Sequence, residues 1–478
     1  MLDLQQKYRN TRMMHWNRMS AHKKDPKRAG HYYQELLAHH YRQMIPPGKC
    51  VLEVGCGHGQ LLASVKPIYG VGIDFSEQML RVAQNRYQDL FFVLADAHNL
   101  PLRFKFDFII LSDIVNDLAD VQQVLENLNQ LCHSKTRIIC NFYSNLWRIP
   151  LKAVKHLGLG ADVLEQNWLT LDDFRNLLSL TDFEIVSRRA SILLPVEVPY
   201  VSTFVNRYLA PMWPFSLFCL TNFFVARSRS KEASKDTDTA PSVSVIVPAR
   251  NEAGNIDAII RRIPVMGSHT EIVFVEGNSK DQTYDVIEQK INEMPQMNIR
   301  LYRQNGVGKG DAVRLGFKEA KCDILMILDA DMTVPPEDLP RFYDVLASGK
   351  GEFVNGVRLV YPMEDRAMRF ANMLGNKFFS IAFTWLLGQP IKDTLCGTKV
   401  MWKTDYNVVA ENRGYFGNFD PFGDFDLLFG AARLNFKIKE IPIRYRSRTY
   451  GDTNIQRWKH GWLLIKMVVF AARRIKFI

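Results

Sequence analysis

The sequence predicts an α/β protein of two domains, each built on a parallel β-sheet that is covered by helices. Its 478 residues exceed what one hydrophobic core usually serves. Short apolar runs alternate with helical patterns, which is typical of successive βαβ units. A polar stretch interrupts this alternation, and the alternation then starts again. The chain therefore has two domains with separate sheets.

The first domain is predicted at 1–227, the linker at 228–242 and the second domain at 243–478. Residues 1–46 have no strand pattern and are expected to form helices that cap the first ligand site. The linker S-R-S-K-E-A-S-K-D-T-D-T-A-P-S is polar and lacks periodicity. Strands are predicted at 50–54, 69–73, 91–94, 106–111, 136–142, 183–187 and 222–226, and then at 243–247, 271–275, 299–302 and 323–328. Beyond 328 the pattern predicts longer helical and loop segments.

Composition indicates an ordinary globular protein. Apolar residues make up 47% of the chain and charged residues 23%, which excludes wholesale disorder. The seven cysteines are odd in number and lack C-x-x-C spacing, so we expect a reducing compartment and no zinc site. The N-terminus has no apolar stretch of the secretory kind. These features favour the cytoplasm.

Positive charge is concentrated at the C-terminus. Residues 433–478 contain twelve Lys/Arg and two acidic residues, nearly the whole excess of a chain whose net charge is +11. Apolar stretches at 208–226, 378–391 and 461–472 are interrupted or too short to span a bilayer core of about 30 Å. The last stretch precedes Arg473, Arg474 and Lys476, as in an interfacial helix. We expect peripheral contact with an anionic membrane, on the inner face of the cytoplasmic membrane.

A glycine-rich turn follows the first predicted strand, in V-L-E-V-G-C-G-H-G. Gly55, Gly57 and Gly59 allow a tight turn and a close approach of the backbone to a ligand. Asp74 ends the second strand, 19 residues after Gly55, where a carboxylate can bind both ribose hydroxyls. Asp96 follows the third strand. The pattern predicts a nucleoside cofactor at this edge of the sheet.

Residues 40–226 resemble the class I S-adenosylmethionine-dependent methyltransferases, which have a Rossmann-like sheet. The resemblance implies that S-adenosylmethionine is lined by Glu53, Gly55, Gly57, Asp74, Asp96 and Asp113. His98, Asp113 and Asn116 are candidates for a base or an orienting group. The sequence does not specify the methyl acceptor; the apolar segment 192–226 indicates either an apolar acceptor or the last hairpin of the fold.

A second set of polar loops follows the strands of the second domain. Pro248, Arg250 and Glu252 come after the first strand, and Glu276 ends the second. Leu325–Leu328 leads directly into Asp329-Ala330-Asp331. Two carboxylates at i and i+2 after a buried strand can hold a hard divalent cation, Mg²⁺ or Mn²⁺, that bridges a diphosphate.

Residues 243–460 resemble the family 2 glycosyltransferases with a GT-A fold, and within them the dolichyl- and polyprenyl-phosphate sugar synthases. The resemblance implies a nucleotide-sugar donor and a polyprenyl-phosphate or cell-envelope glycoconjugate acceptor. It assigns the metal to Asp329 and Asp331. The residues that it assigns to the donor are Pro248, Arg250, Glu252, Glu276, Lys309, Asp311, Asp329, Arg358 and Arg448.

The chain departs from that family at three positions. Glu276-Gly277 replaces paired aspartates, Arg250 replaces a loop tyrosine, and Asn454 replaces a lysine of the tail. The donor sugar, its base and the acceptor class therefore stay open. A lipid phosphate is already ionised and needs no general base, whereas a hydroxyl acceptor needs one. For that case the candidates are Asp393, Asp424 and Asp426.

The function predicted from the sequence is a bifunctional transferase, with S-adenosylmethionine-dependent methylation in one half and metal-dependent sugar transfer in the other. Two alternatives remain. One domain is catalytically silent and binds its ligand as a scaffold, or the basic chain is a nucleic-acid-modifying methyltransferase. The second is disfavoured because no aromatic-basic nucleic-acid module is present, so no nucleic-acid partner is expected. The oligomeric state is not predicted.

Overall fold

The computed structural model describes residues 2–21, 30–156, 164–229, 240–358, 370–415, 425–446, 448, 450 and 457–477. It has two compact units, the first built on Met1–Ser230 and the second on Lys231–Lys476. Each unit contains one seven-stranded sheet with helices on its faces. The predicted α/β class with two sheets is confirmed. Most of the predicted linker lies outside the described residues.

The sheet of unit 1 has the strand order β3-β2-β1-β4-β5-β7-β6. Strands β1 to β5 pair in parallel, whereas β7 is antiparallel to both β5 and β6. The sheet is therefore mixed, and the prediction of a parallel sheet is correct only for its first five strands. The strands are β1 Cys50–Val54, β2 Tyr69–Asp74, β3 Phe91–Leu94, β4 Phe106–Ser112, β5 Cys132–Tyr143, β6 Phe183–Ser191 and β7 Thr221–Ser228.

Helices cover both faces of this sheet and bury two apolar clusters against it. Several begin at side-chain caps. Ser76 accepts a hydrogen bond from the Met79 amide at the start of α4, and Thr170 and Asp173 form a capping box in α7. The helices are α1 Leu2–Ala21, α2 His31–Met44, α3 Gln60–Ser64, α4 Glu77–Arg86, α5 Val121–Asn129, α6 Arg148–His156, α7 Leu171–Leu180 and α8 Val201–Phe204.

The sheet of unit 2 has the order β10-β9-β8-β11-β13-β12-β14. Strands β8 to β11 are parallel, and β13 is antiparallel to β11 and β12. The last three strands were missed by the sequence analysis, which predicted helices and loops there. They are short, and they bury polar side chains such as Asn355 and Lys399. The strands are β8 Val243–Ala249, β9 Thr270–Glu276, β10 Ile299–Arg303, β11 Ile324–Ile327, β12 Phe353–Val357, β13 Lys399–Trp402 and β14 Ile438–Pro442.

Helix α11 of unit 2 packs closely on the sheet because Gly316 faces it. A Cβ at Gly316 would lie 2.5 Å from Ile246 Cγ2. The helices of this unit are α9 Ile256–Arg262, α10 Thr283–Glu293, α11 Lys309–Glu319, α12 Leu339–Ala347, α13 Phe370–Leu387, α14 Lys403–Glu411, α15 Phe425–Arg433 and α16 Arg457–Ile475. Among the described residues, no helix has the length and apolar character needed to cross a bilayer.

Phe224 provides a test of the core of unit 1. Its ring is stacked on Phe142 at 5.5 Å and contacts Phe174 at 5.3 Å, and the residue is 1% exposed. We expect Phe224→Ala to lower the free energy of unfolding of unit 1 by about 3–5 kcal/mol, because it leaves a cavity. Denaturant unfolding of the full chain measures this loss.

The control is Phe91→Ala on edge strand β3, where the side chain is 56% exposed. A change of less than about 1 kcal/mol is expected there. Equal losses for the two variants would contradict the packing described for β7.

Candidate functional site

The turn after β1 depends on three glycines with positive φ. These angles are 75° at Gly55, 49° at Gly57 and 72° at Gly59, a region that other residues rarely adopt. A Cβ at Gly55 would lie 2.6 Å from Ile114 Cδ1. At Gly57 a Cβ would meet nothing within 4 Å. A side chain at Gly55 would therefore collide with Ile114, whereas the space beside Gly57 is open.

Asp74 lies at the end of β2, the strand next to this turn. Its carboxylate accepts hydrogen bonds from the amide of Gly57 at 2.9 Å and from the amide of Ser76 at 2.8 Å. Burial raises its pKa, and these bonds oppose that rise. Asp74 thereby joins the glycine turn to the start of α4, with acceptor capacity left for a ligand.

Glu53 is buried beneath the turn. Its carboxyl accepts a hydrogen bond from the amide of Leu62 at 2.9 Å, and burial raises its pKa to about 8. At neutral pH the side chain is therefore largely protonated. It fastens β1 to α3, and so supports the turn from below.

Asp96 follows β3 and is bound by its own loop. It accepts hydrogen bonds from the amide of His98 at 2.8 Å and from its ring nitrogen Nδ1 at 2.6 Å, and Arg9 Nε lies 3.5 Å away. Burial opposes ionisation, but the bonds from His98 and the charge of Arg9 prevail and lower the pKa of Asp96. This carboxylate is charged at neutral pH.

Asp113 follows β4 with a φ of 56°. It accepts hydrogen bonds from the Tyr33 hydroxyl at 3.0 Å and from the Asn141 amide. Tyr41 in turn donates to Asn141 at 2.7 Å. Burial raises the pKa of Asp113 to about 7. The sequence analysis missed Tyr33, Tyr41 and Asn141, because the first two come from α2 and the third from inside β5.

The other two candidate bases of unit 1 are engaged in holding loops. His98 bonds Asp96 through Nδ1, and its Nε2 accepts from the Asp120 amide at 3.1 Å. Asn116 is fully buried, donates to the Asn167 carbonyl and accepts from the Tyr143 amide. Among His98, Asp113 and Asn116, only Asp113 has a carboxyl poised to titrate near neutral pH.

Helix α1 contacts the same loops. Arg12 is paired with Asp117 at 2.7 Å, Trp16 donates to the same carboxylate at 2.9 Å, and Asn17 is bonded to Ser76 at 2.6 Å. Arg9, on the same helix, faces Asp96. No sequence motif predicts these contacts, since each joins residues that are far apart in the chain.

In unit 2, Asp329 follows β11 and lies among cationic side chains. Lys309 Nζ, at the start of α11, is 2.6 Å from Asp329 Oδ1. Burial opposes its ionisation, but Lys309, Lys399 and Arg358 together lower the pKa of Asp329. A Cβ at Gly397 would lie 1.9 Å from Asp329 Oδ2. Lys399 and Gly397 were not predicted from the sequence, because only the fold shows that the lysine is buried.

Asp331 interacts with other partners than Asp329 does. Arg448 Nη2 lies 2.8 Å from it, and Arg448 Nη1 is 3.6 Å from Glu252. Burial raises the pKa of Glu252 to about 7, against the charge of Arg448. Asn255 connects this group to the backbone, since it donates to Glu252 at 2.7 Å and to the Ala330 carbonyl at 3.1 Å. Arg448, Glu252 and Asp331 are thus brought together from three distant segments.

Arg358, just after β12, forms a buried ion pair with Asp393. Two bonds of 2.7 and 2.8 Å join the guanidinium to the carboxylate, which also accepts from the amides of Arg358 and Leu395. Burial opposes ionisation of Asp393, but Arg358 outweighs it and the pKa is lowered. Asp393 has no solvent exposure in its side chain. It is suited to orient Arg358 rather than to accept a proton.

Of the remaining candidates, two accept hydrogen bonds from backbone amides and one is held in an ion pair. Glu276 is buried and accepts from the Ser279 amide, and Asp311 accepts from the Gly306 amide at 2.9 Å. Arg250 is exposed and Pro248 is partly buried. Asp426, in the first turn of α15, is paired with Arg413 at 2.8 Å. Asp424 lies outside the described residues.

Asp329 and Asp331 follow β11, and both carry carboxylates, the type of ligand that a hard divalent cation prefers. Within the described ranges, no group of three or more His, Cys, Asp or Glu side chains converges as a metal cage does. Magnesium sites in phosphate-transferring proteins often use one or two carboxylates and complete the shell with substrate phosphate and water. Asp329 and Asp331 are of the residue type that such a site uses.

Two stretches of the chain match models of known families. Residues 52–140 match the model for a methyltransferase domain, and residues 244–406 match that for glycosyl transferase family 2. A dolichol-phosphate mannosyltransferase of Pyrococcus furiosus is 35% identical over 219 residues, 45% of this chain and 59% of that protein. A dolichyl-phosphate hexose transferase of Haloferax volcanii is 26% identical over 48% of this chain and 94% of that protein.

Two solved structures show low similarity to parts of the chain. A putative methyltransferase of Haloferax volcanii, in complex with its activator Trm112, covers 45% of this chain and 97% of that chain, at 16% identity and a TM-score of 0.35. Glucosyl-3-phosphoglycerate synthase of Mycobacterium tuberculosis covers 49% of this chain and 80% of that chain, at 18% identity and a TM-score of 0.37. The matches of the two family models show that this chain contains a methyltransferase domain followed by a glycosyl transferase family 2 domain.

Proposed function

We propose that the chain is a bifunctional transferase. Unit 1 methylates an acceptor with S-adenosylmethionine, and unit 2 transfers a sugar from a nucleotide donor to a polyprenyl phosphate. The observation that carries this proposal is the set of cations around Asp329 and Asp331, at the carboxyl ends of strands in a glycosyl transferase family 2 domain. The names of the dolichol-phosphate relatives support the lipid acceptor.

In unit 1, Asp74 would accept from the ribose hydroxyls, and Asp96 would lie at the base. The open space at Gly57 lets the ligand approach the backbone. Bound S-adenosylmethionine supplies a methyl group that is already electrophilic, so holding the acceptor in line provides most of the rate. Asp113, with a pKa of about 7, could take a proton from the acceptor.

In unit 2, Lys309, Lys399, Arg358 and Arg448 supply positive charge for a diphosphate. A divalent cation on Asp329 and Asp331 would add to this charge and stabilise the leaving nucleoside diphosphate. Lys309 and Arg448 already neutralise those two carboxylates. Binding of a metal and a diphosphate would exchange these partners, with the cations moving to phosphate oxygens.

The state of the candidate bases favours a phosphate acceptor over a hydroxyl. The Asp393 carboxylate is occupied by its ion pair with Arg358, and the Asp426 carboxylate by its ion pair with Arg413. Neither described carboxyl is suited to remove a proton. A lipid phosphate needs no such step: its oxygen attacks the anomeric carbon as the bond to the nucleoside diphosphate breaks, with inversion.

Helix α16 fits peripheral contact with a membrane. Trp462, Ile465 and Val469 are exposed at spacings of three and four residues, so they share one face. Lys466 is exposed beside them, and Arg473 and Arg474 follow in the last turn. Such a helix lies in the interface with its apolar side down and its cations at the phosphates. This position would bring unit 2 to a lipid-linked acceptor.

The alternative is that one unit only binds its ligand and acts as a scaffold. No observed contact favours it over two active units. Binding of S-adenosylmethionine or a nucleotide sugar without turnover would support it. A nucleic-acid-modifying role remains the less supported alternative, and it predicts binding that weakens steeply with salt.

Asp74→Asn tests the first half. Loss of the negative acceptor should weaken S-adenosylmethionine binding by roughly ten- to a hundredfold, since hydrogen bonds to a charged group contribute about 1.5–3 kcal/mol. Sugar transfer should be unchanged. Isothermal titration calorimetry and a donor-turnover assay measure the two effects.

Asp172→Asn, at an exposed carboxylate on α7, is the control and should leave both unchanged. Loss of both activities in Asp74→Asn would contradict independent units, and unchanged cofactor binding would contradict the ribose assignment.

Asp329→Asn and Asp331→Asn test the second half. Hydrolysis of UDP-, GDP- and dTDP-sugars would be screened with and without Mn²⁺. We expect either change to lower metal-dependent turnover at least a hundredfold, in line with the loss of a main electrostatic contact in a transition state.

Asp285→Asn, on the exposed side of α10, should have no effect. Turnover that is indifferent to Asp329 and Asp331 would overturn the metal assignment. Loss of turnover without a change in Mn²⁺ dependence would overturn it as well.

A further inference from the structure

Unit 1 exposes many large apolar side chains in two segments, 146–154 and 196–218. They include Leu146, Ile149, Tyr200, Phe204, Trp213 and Leu217. Ile149 is 78% exposed and Trp213 is equally exposed. Soluble proteins rarely expose apolar patches beyond a few hundred Å² unless the patch binds something. These two segments are called the apolar patch below.

The two segments lie side by side. The Trp147 indole donates to the Phe218 carbonyl at 2.8 Å, and the Ser144 amide donates to the Leu220 carbonyl at 2.6 Å. In the sheet, Tyr143 is paired with Thr221, and Thr221 with Ser191. Both segments therefore leave the sheet at the same edge and form one surface.

This edge is also the one that carries the predicted cofactor loops. Asn141 of β5 is in register with Ser112 of β4, directly before Asp113. The glycine turn and Asp74 follow β1 and β2, which run parallel to β4. The apolar patch thus borders the loops to which a methyl acceptor would have to come.

The charge of the apolar patch is mainly positive. Residues 146–154 contain Arg148 and Lys152 and no acidic residue, and residues 196–218 contain Arg207 and one exposed acidic residue, Glu197. Helix α6 has no buried residue, so Arg148, Ile149 and Lys152 are all exposed. Cations among exposed tryptophan, tyrosine and aliphatic side chains are typical of surfaces that lie in the headgroup region of a bilayer.

We propose that unit 1 docks onto an anionic lipid bilayer through the apolar patch. The contact does not depend on either transferase activity. A second copy of the chain fits less well, because a two-fold contact would set the same cations of α6 against each other. The docked surface would place the cofactor edge next to the lipid, and so favour a methyl acceptor held in the membrane.

A site-specific probe tests the proposal in the full chain. Ile149→Cys is labelled with an environment-sensitive fluorophore and mixed with phosphatidylcholine vesicles that contain about 30% phosphatidylglycerol. Six of the seven native cysteines are buried and Cys50 is partly buried, so the labelled wild-type chain gives the background. We expect a blue shift of the probe on these vesicles.

Ile68→Cys is the matched control. Ile68 is 77% exposed, and it precedes β2, at the opposite edge of the same sheet. Its probe should not shift. A chain that sediments with vesicles while the probe at 149 keeps its aqueous spectrum would overturn the proposal, since only another surface would then be bound. Failure to sediment would overturn it too.

A second variant tests the charge. Lys152→Gln should weaken binding to the anionic vesicles about fivefold and leave binding to neutral vesicles unchanged, as one lysine near such a surface contributes about that factor. Lys135→Gln, near the start of β5, is its control and should not weaken binding. Equal losses for the two would overturn the proposal. A probe shift that occurs without lipid and accompanies dimerisation in sedimentation velocity would also overturn the proposal. That result would assign the apolar patch to a second copy of the chain.

Discussion

Parallel pairing of the central strands is the constraint on which both candidate sites depend. In unit 1, β1, β2 and β4 run in the same direction, and in unit 2 so do β8, β9 and β11. Such strands are buried on both faces, and their loops meet at a single edge. Polar residues that are tens of positions apart in the chain are thus delivered to the same place. Neither the glycine turn nor the D-x-D turn would form a site if one strand were reversed.

The carboxylates at these edges differ in how their charge is balanced. In unit 1, Glu53 and Asp113 are buried with hydrogen bonds from neutral groups, and their pKa values rise towards and above neutrality. In unit 2, Asp329 and Asp393 face cations, and their pKa values fall. Two other carboxylates do not follow this contrast. In unit 1 the bonds from His98 and the charge of Arg9 lower the pKa of Asp96, and in unit 2 burial raises the pKa of Glu252 to about 7. The charge of each carboxylate is therefore set by its own neighbours and not by the unit as a whole.

Two surfaces of the chain combine exposed apolar side chains with cations. One belongs to α16 in unit 2 and the other is the apolar patch of unit 1. If both bind lipid, each unit has its own contact with the membrane.

The sequence by itself determined the central strands and the loops after them. A buried parallel strand appears in the sequence as a short apolar run, and in this chain such runs are followed by glycine or an acidic residue. Asp74 and Asp329 were found in this way. The sequence did not determine β12 to β14, whose short strands bury polar residues and lack such a pattern. Only the tertiary structure decided the partners of the site residues. Arg448 donates a hydrogen bond to Asp331, which is 117 positions away in the sequence, and Tyr33 donates one to Asp113, which is 80 positions away. Such pairs leave no local signal, because they depend on how remote elements pack and not on any spacing along the chain.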